Sequence, residues 1–212
     1  MPKSKNIGTC FLCNEAIDHR SIVKHLDQCL EKKEESKTSS SQNENIFLLK
    51  IFSGKPFWLY VEVNGSATLD QLDSFLRNTW LECCGHMSEF NISGNTYSGN
   101  KAMKKTVQTL VDVGTEFDYE YDFGSTTELS GKVISVRQGK LKKPVRLLAR
   151  NHLPEDINCS TCKKNAMVIC SVCYEFFCNK CQKKHDDCDG EEFMMPVVNS
   201  PRMGVCGYTG ED

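Results

Sequence analysis

Residues 116–123 read Glu-Phe-Asp-Tyr-Glu-Tyr-Asp-Phe, an unbroken alternation of aromatic and acidic side chains. Successive side chains of a strand point to opposite faces. Phe117, Tyr119, Tyr121 and Phe123 therefore define a buried face, and Glu116, Asp118, Glu120 and Asp122 a wet one. Gly124 breaks the run, and residues 129–137 supply a partner strand. Working outward, residues 89–92 and 96–98 read as short strands, and 106–111 as a short helix stopped by Gly114. Further upstream, Thr68 and Gln71 form a capping box. The helix behind it carries Leu69, Leu72, Phe75, Leu76 and Trp80 at helical spacing and stops at Gly85. Residues 57–63 alternate again, with Phe57, Leu59, Val61 and Val63 on one face and Trp58, Tyr60 and Glu62 on the other; 46–52 is a further strand-like run. Short strands interspersed with two helices predict an α+β domain of mixed strands over residues 45–150.

The 212 residues are 39% hydrophobic and 25% charged, the balance of an ordinary globular protein. A net charge of −2 makes the whole molecule no magnet for nucleic acid or anionic membrane, so any such binding needs a local patch. The first residues lead into no apolar run of signal-peptide length, and no stretch reaches transmembrane length. These features predict a cytoplasmic protein with no membrane partner. Residues 31–44, EKKEESKTSSSQNE, hold no apolar side chain and predict a flexible linker between a small unit at 1–30 and the body.

Thirteen cysteines are the outlying number, and eight of them fall in CxxC pairs: Cys10/Cys13, Cys159/Cys162, Cys170/Cys173 and Cys178/Cys181. In a reducing compartment such pairs read as thiolate ligands rather than disulfides. Cys10, Cys13, His25 and Cys29 have the spacing C-x2-C-x11-H-x3-C, two ligands on a tight turn and two one helical turn apart, which closes a tetrahedron around zinc. Ile22, Leu26 and Leu30 share one side of that helix. A unit of this size lacks the burial to hold itself together, and zinc, at about 10–16 kcal/mol in finger peptides, supplies the difference. The second group follows C-x2-C-x7-C-x2-C-x4-C-x2-C-x3-H-x2-C through Cys159, Cys162, Cys170, Cys173, Cys178, Cys181, His185 and Cys188. Eight ligands in four pairs predict two zincs, with pairs one and three on one metal and two and four on the other. Cys206 is the alternative to Cys188 as eighth ligand, with Cys188 favoured by spacing. Twelve ligands in all predict three Zn2+ per chain. Cys83, Cys84 and Cys206 read as free thiols, the Cys-Cys-Gly-His run to His86 being too cramped for a site by itself.

Residues 10–30, CFLCNEAIDHRSIVKHLDQCL, resemble the ubiquitin-binding C2HC zinc fingers of DNA-damage-tolerance proteins in their four ligands, in Ile17 and Ile22, and in the HLDxCL ending. In that family the helix face binds ubiquitin and the aspartate after His-Leu makes a key hydrogen bond. The resemblance implies that Asp27, Ile22 and Leu26 contact a ubiquitin-like protein; the family commonly has Asn where this chain has Val23. The interleaved C-terminal ligands resemble the cross-braced B-box. LKIFSGKPFWLYVEV, HMSEFNISG and YEYDFG resemble the plasmid Ri open-reading-frame-three-like family, also labelled a transposon passenger, over about residues 46–150. VRLLARN and PVVNSPRMGVCGY look like the form of that family with an appended metal cluster. Many members continue FG with Asp, Trp and His, where this chain has Ser125-Thr126-Thr127-Glu128.

Together these readings divide the chain into a C2HC finger at 1–30, a linker at 31–44, the α+β domain at 45–150, and a cross-braced two-zinc module with its tail at 151–212. His86, Glu89, Asp122 and Glu128 are the polar groups nearest the family motifs, but acidic residues alternating with aromatics are more simply the solvated side of a strand. Lys132, Arg137, Lys140, Lys142, Lys143, Arg146 and Arg150 run without an acidic residue among them; they hold phosphates or form an ordinary solvated face. Lys140, Lys142, Lys143 and Arg146 are the candidate phosphate contacts. The leading expectation is a zinc-binding adaptor, not an enzyme, for a ubiquitin-like protein or a nucleic acid. The alternative is a nucleic-acid-processing enzyme or accessory factor of a mobile element.

Overall fold

The computed structural model describes residues 6–34, 44–54, 56–185, 188 and 193–210. It is α+β, dominated by one antiparallel sheet. The chain opens with a hairpin, β1 (Ile7–Cys10) and β2 (Ala16–Asp18), then helix α1 (Ile22–Glu34). The long strands β3 (Glu44–Ser53) and β4 (Phe57–Asn64) follow, then α2 (Leu69–Leu76), the short pair β5 (Ser88–Ile92) and β6 (Asn95–Ser98), and one turn of helix, α3 (Gly99–Ala102). The remaining strands of the body are β7 (Glu116–Tyr121), β8 (Thr127–Gly139) and β9 (Val145–Asn151). The large sheet runs β2-β1-β9-β4-β3-β8-β7-β5-β6. A separate three-stranded sheet, ordered β11-β10-β12, is made by β10 (Val168–Cys170), β11 (Phe176–Phe177) and β12 (Met194–Pro196).

Both faces of the central strands are buried. Leu59, Val61 and Val63 of β4 join Phe47, Leu49 and Ile51 of β3 beneath α2, whose Leu69, Leu72 and Leu76 close the main core. The Thr68–Gln71 capping box is formed in both directions, which satisfies donors at the start of α2. The other face of β4 carries Trp58 and Tyr60, and α1 covers it with Ile22, Leu26 and Leu30. Burying those three side chains is worth roughly 5–9 kcal/mol gross. The N-terminal unit is therefore docked on the body, and β1 extends the sheet by pairing with β9. Trp58 is the anchor: its Nε1 donates to Asn6 Oδ1 at 2.6 Å, and the His19 ring stacks on it at 4.9 Å. Gly8 passes so close that a Cβ there would lie 2.2 Å from the Arg150 carbonyl oxygen and 2.3 Å from the Trp58 ring.

Several elements depart from the sequence reading. Of the stretch assigned to a linker, Glu31–Glu34 complete α1 and Glu44 begins β3; residues 35–43 lie outside the described residues. The helix expected over 106–111 is only a tight turn at Val107–Thr109. Val107 N–H donates to the Ala67 carbonyl and Gln108 N–H to that of Gly65, which ties this turn to the loop ahead of α2. Helix α2 ends at Leu76 and gives way to one wider π turn, Arg77–Leu81, that buries Trp80 and Leu81. The aromatic–acidic strand stops at Tyr121, because Asp122 adopts φ +67 and turns its carboxylate inward. Phe123 is left 46% exposed. Nor is the tail a free appendage: Ser200 Oγ donates to the Trp80 carbonyl at 2.5 Å, and Arg202 is fully buried in the body.

Docking of the N-terminal unit has a direct test. A protease site engineered into residues 36–42 and cleaved should leave both fragments eluting as one species in size-exclusion chromatography. Adding Gly8→Val, whose side chain cannot pass between Trp58 and Arg150, should release the N-terminal fragment. Spontaneous release with Gly8 in place would contradict the docking.

Candidate metal centres

The first centre is built on the β1–β2 hairpin and on α1. Cys10 N–H donates to the Glu15 carbonyl at 2.9 Å, Asn14 N–H returns to that of Cys10 at 2.7 Å, and Asn14 takes φ +62 to close the turn. The same knuckle recurs twice. Lys163 N–H donates to the Cys159 carbonyl with Lys163 at φ +62, and Tyr174 N–H to that of Cys170 with Tyr174 at φ +58. Left-handed backbone at a non-glycine residue costs about 1–3 kcal/mol and persists where its surroundings demand it. Each knuckle turns two thiols toward one point. Helix α1 brings His25 and Cys29, four residues apart on one face, to the first of those points. His25 Nε2 lies 3.3 Å from both Cys13 Sγ and Cys29 Sγ.

In the C-terminal module the pairs interleave. Cys159, Cys162, Cys178 and Cys181 form one set, and Cys170, Cys173, His185 and Cys188 another, the donor atoms of each set all within 4.8 Å of one another. Cys162 Sγ is 3.7 Å from Cys178 Sγ, and Cys173 Sγ is 3.6 Å from His185 Nε2. A tetrahedral site with Zn–S near 2.3 Å has edges of about 3.5–3.8 Å. A disulfide requires about 2.05 Å, and all thirteen cysteines are free. The four-donor sets are compatible with zinc in number, type and spacing.

Electrostatics point the same way. Burial opposes ionisation of Cys159, but the amides of Cys162, Cys178 and Thr161 outweigh it and bring the thiol down to about 6. Cys170 is brought to about 7 against burial, by the amides of Cys173 and Val172 and by His185. Cys29 is pushed up to about 12, first by burial and then by Cys13 and Cys10. Cys181 is pushed up to about 12 by burial and then by Cys162, Cys178 and Cys159. Each of the two C-terminal sets thus ionises its first thiol readily and resists the last, a repulsion that a divalent cation removes.

A fourth group, Cys83, Cys84, His86 and Cys206, was not legible in the sequence. Its thiols read there as free, and the Cys-Cys-Gly-His run as too cramped; the structure supplies the missing donor from the tail. The signal available was three cysteines, Cys83, Cys84 and Cys206, that the spacing of the terminal sets left unplaced. Among the enzyme candidates, His86 belongs to this group, and Asp122 is only 6% exposed and bound by Arg202 at 2.6 Å. That guanidinium holds the Asp122 carboxyl at about 2. Glu89 and Glu128 flank Glu120 across β5, β7 and β8.

The predicted partner residues are distributed differently. Asp27 is exposed on α1, whereas Ile22 and Leu26 are 0% exposed, turned against Trp58 and Tyr60 because that face of β4 needs covering. They are not available to a partner while α1 is docked. The basic stretch is interrupted by acidic groups from other strands. Arg137 Nε donates to Glu62 Oε1 at 2.6 Å, Arg146 Nε to Glu62 Oε2 at 3.0 Å, and Lys132 Nζ to Glu116 at 2.8 Å. Arg150 donates to the Asn199 carbonyl at 2.5 Å. Lys140, Lys142 and Lys143 are exposed.

No family model and no curated protein matches this chain. Among solved structures, the "Crystal Structure of Protein of Unknown Function MM3350 from Methanosarcina mazei Go1" is similar at 18% identity and a TM-score of 0.44, over 53% of this chain and 74% of that one. No helix among the described residues is long and apolar enough to cross a membrane.

Glu62 is 1% exposed beneath two arginines, so its removal strands two partly buried cations. Glu62→Ala should cost about 3 kcal/mol, read from the denaturant midpoint. A loss below about 0.5 kcal/mol, the range of ordinary surface substitutions, would mean the arginines are solvated and free for other partners.

Proposed function

We propose that this chain is a zinc-binding interaction protein in which the metals are structural and the recognised partner is another protein. The observation that carries it is the donor count. Each cluster offers four protein ligands, and a zinc so enclosed keeps no open position for water or substrate. Catalytic zinc needs such a position. We propose Zn2+ in the N-terminal set and in the two interleaved C-terminal sets, the latter as a cross-braced module. The central sheet is proposed to be a plasmid Ri open-reading-frame-three-like domain, with the N-terminal unit a finger of the ubiquitin-binding kind.

The surface left to that finger is the outer side of α1, where Lys24, Asp27 and Gln28 are exposed. Asp27 is its only carboxylate before Glu31, and a charge-assisted hydrogen bond from it would be directional. A ubiquitin-like partner is favoured over nucleic acid because Arg137, Arg146 and Lys132 are already paired with glutamates.

The test is an NMR titration of the full chain with a ubiquitin-like protein, wild type beside Asp27→Ala. Loss of the hydrogen bond should weaken binding about 10-fold or more while leaving stability nearly unchanged. Equal affinities would remove Asp27 from the interface, and the absence of any shift in the wild type would overturn ubiquitin-like recognition.

A further inference from the structure

We infer that Cys83, Cys84, His86 and Cys206 hold a fourth metal ion, a zinc bound by three thiolates and one imidazole, which clasps the C-terminal tail to the end of the central sheet. The inference is independent of the partner proposed above, and its ligands lie outside the three sets that the cysteine spacing assigns.

The loop side is shaped before any metal arrives. Gly85 turns at φ +77, and its N–H donates to Glu82 Oε1 at 2.6 Å. His86 N–H donates to the Tyr121 hydroxyl at 3.3 Å, tying the loop to the end of β7. Cys83, Cys84 and His86 then face one point. On the tail, Gly204, Cys206 and Gly207 have φ +80, +50 and +70. Two are glycines, which adopt such angles freely; the third is a cysteine, which does not. The backbone is thus held in an unfavoured form at the residue whose thiol reaches the loop.

The sulfur–sulfur distances are those of a tetrahedral site, and all four donors lie within 4.8 Å of one another. Cys83 Sγ and Cys84 Sγ are 3.7 Å apart, and Cys84 Sγ and Cys206 Sγ 3.6 Å. His86 Nε2 lies 2.9 Å from Cys84 Sγ and 3.2 Å from Cys206 Sγ. The Asp122 carboxylate is 3.5 Å from the same nitrogen but is committed to Arg202 at 2.6 Å. Three thiolates and a divalent zinc carry one net negative charge, and a buried cation stands beside them. Arg202 is 0% exposed, and its Nε points at Cys83 Sγ from 3.4 Å. The other side of the guanidinium is spent on Asp122, on the Ser125 carbonyl and on Thr127 Oγ1. Arg202 therefore serves as the outer partner of the site and brings Cys206, four residues on, into place.

The site also differs from the other three in access. Each of those contains a cysteine that is fully buried, Cys10, Cys159 or Cys170, whereas here Cys84 and Cys206 are exposed and Cys83 is only partly covered. The fourth ion should be the first to leave to a chelator, freeing the Cys206 thiol while the other centres stay loaded.

Cadmium-113 NMR of the cadmium-substituted full chain tests this site by site. Four metal resonances are expected. Cys206→Ser should remove one and leave three in place, which also shows that the rest of the protein remains folded. Cys206→His should restore a fourth at a new position, and stepwise chelation should bleach the Cys206-dependent resonance first. Cys29→Ser, Cys162→Ser and Cys173→Ser should each affect a different resonance, so failure of a terminal centre is distinguishable from failure of this one. Absence of any resonance that responds to Cys206 substitution would overturn the inference. So would a Cys84–Cys206 disulfide found by mass spectrometry in protein purified under reducing conditions.

Discussion

Thiols gathered at 3.6–3.7 Å cannot all ionise without a cation between them, and the ends of this chain are organised around that constraint. The C-terminal module shows why. Its buried apolar cluster among the described residues consists of Cys159, Cys170 and Phe177. Two of the three are themselves donors. One aromatic ring and its neighbours contribute a few kcal/mol, whereas a structural zinc contributes about 10–16 kcal/mol. On the proposed reading, metal does here what a hydrophobic core does elsewhere.

The body is the opposite case. Its core runs through β3, β4, β7 and β8 with α2 laid across, and needs no metal to account for it. The strand that joins the two regimes is β9, paired with β4 on one side and β1 on the other. At its end, Asn151 accepts from the Trp58 amide at 3.0 Å and donates to Asn199 Oδ1 at 2.8 Å. One residue thus contacts the body and the tail, one strand from the N-terminal hairpin. The chain reads as beads on a string in sequence and is woven together in space.

What was legible follows from locality. The alternation in residues 57–63 and 116–121, the Thr68–Gln71 cap and the tight CxxC knuckles are specified by residues within a turn of one another. What was not legible depends on partners far away. Trp58, Tyr60 and Glu62 were placed on one face, but nothing nearby reveals that α1 covers the two aromatics or that Arg137 and Arg146 cover the carboxylate. Asp122 alternates like its neighbours and belongs to the wet face by pattern; Arg202, eighty positions later, turns it inward. Cys206 meets Cys84 across 122 positions. Spacing rules presume ligands in pairs, and a donor that arrives alone is invisible to them.

On the proposed reading, bound metal keeps both ends of the chain folded, while the core of the sheet between them folds without it. Native-state hydrogen exchange of the full chain before and after complete chelation tests it most directly. Protection should collapse across residues 6–34, 157–185 and 193–208 while the amides of β3, β4, β7 and β8 keep theirs. Simultaneous loss of protection in all of these strands, or no loss at either end once the metal is gone, would contradict it.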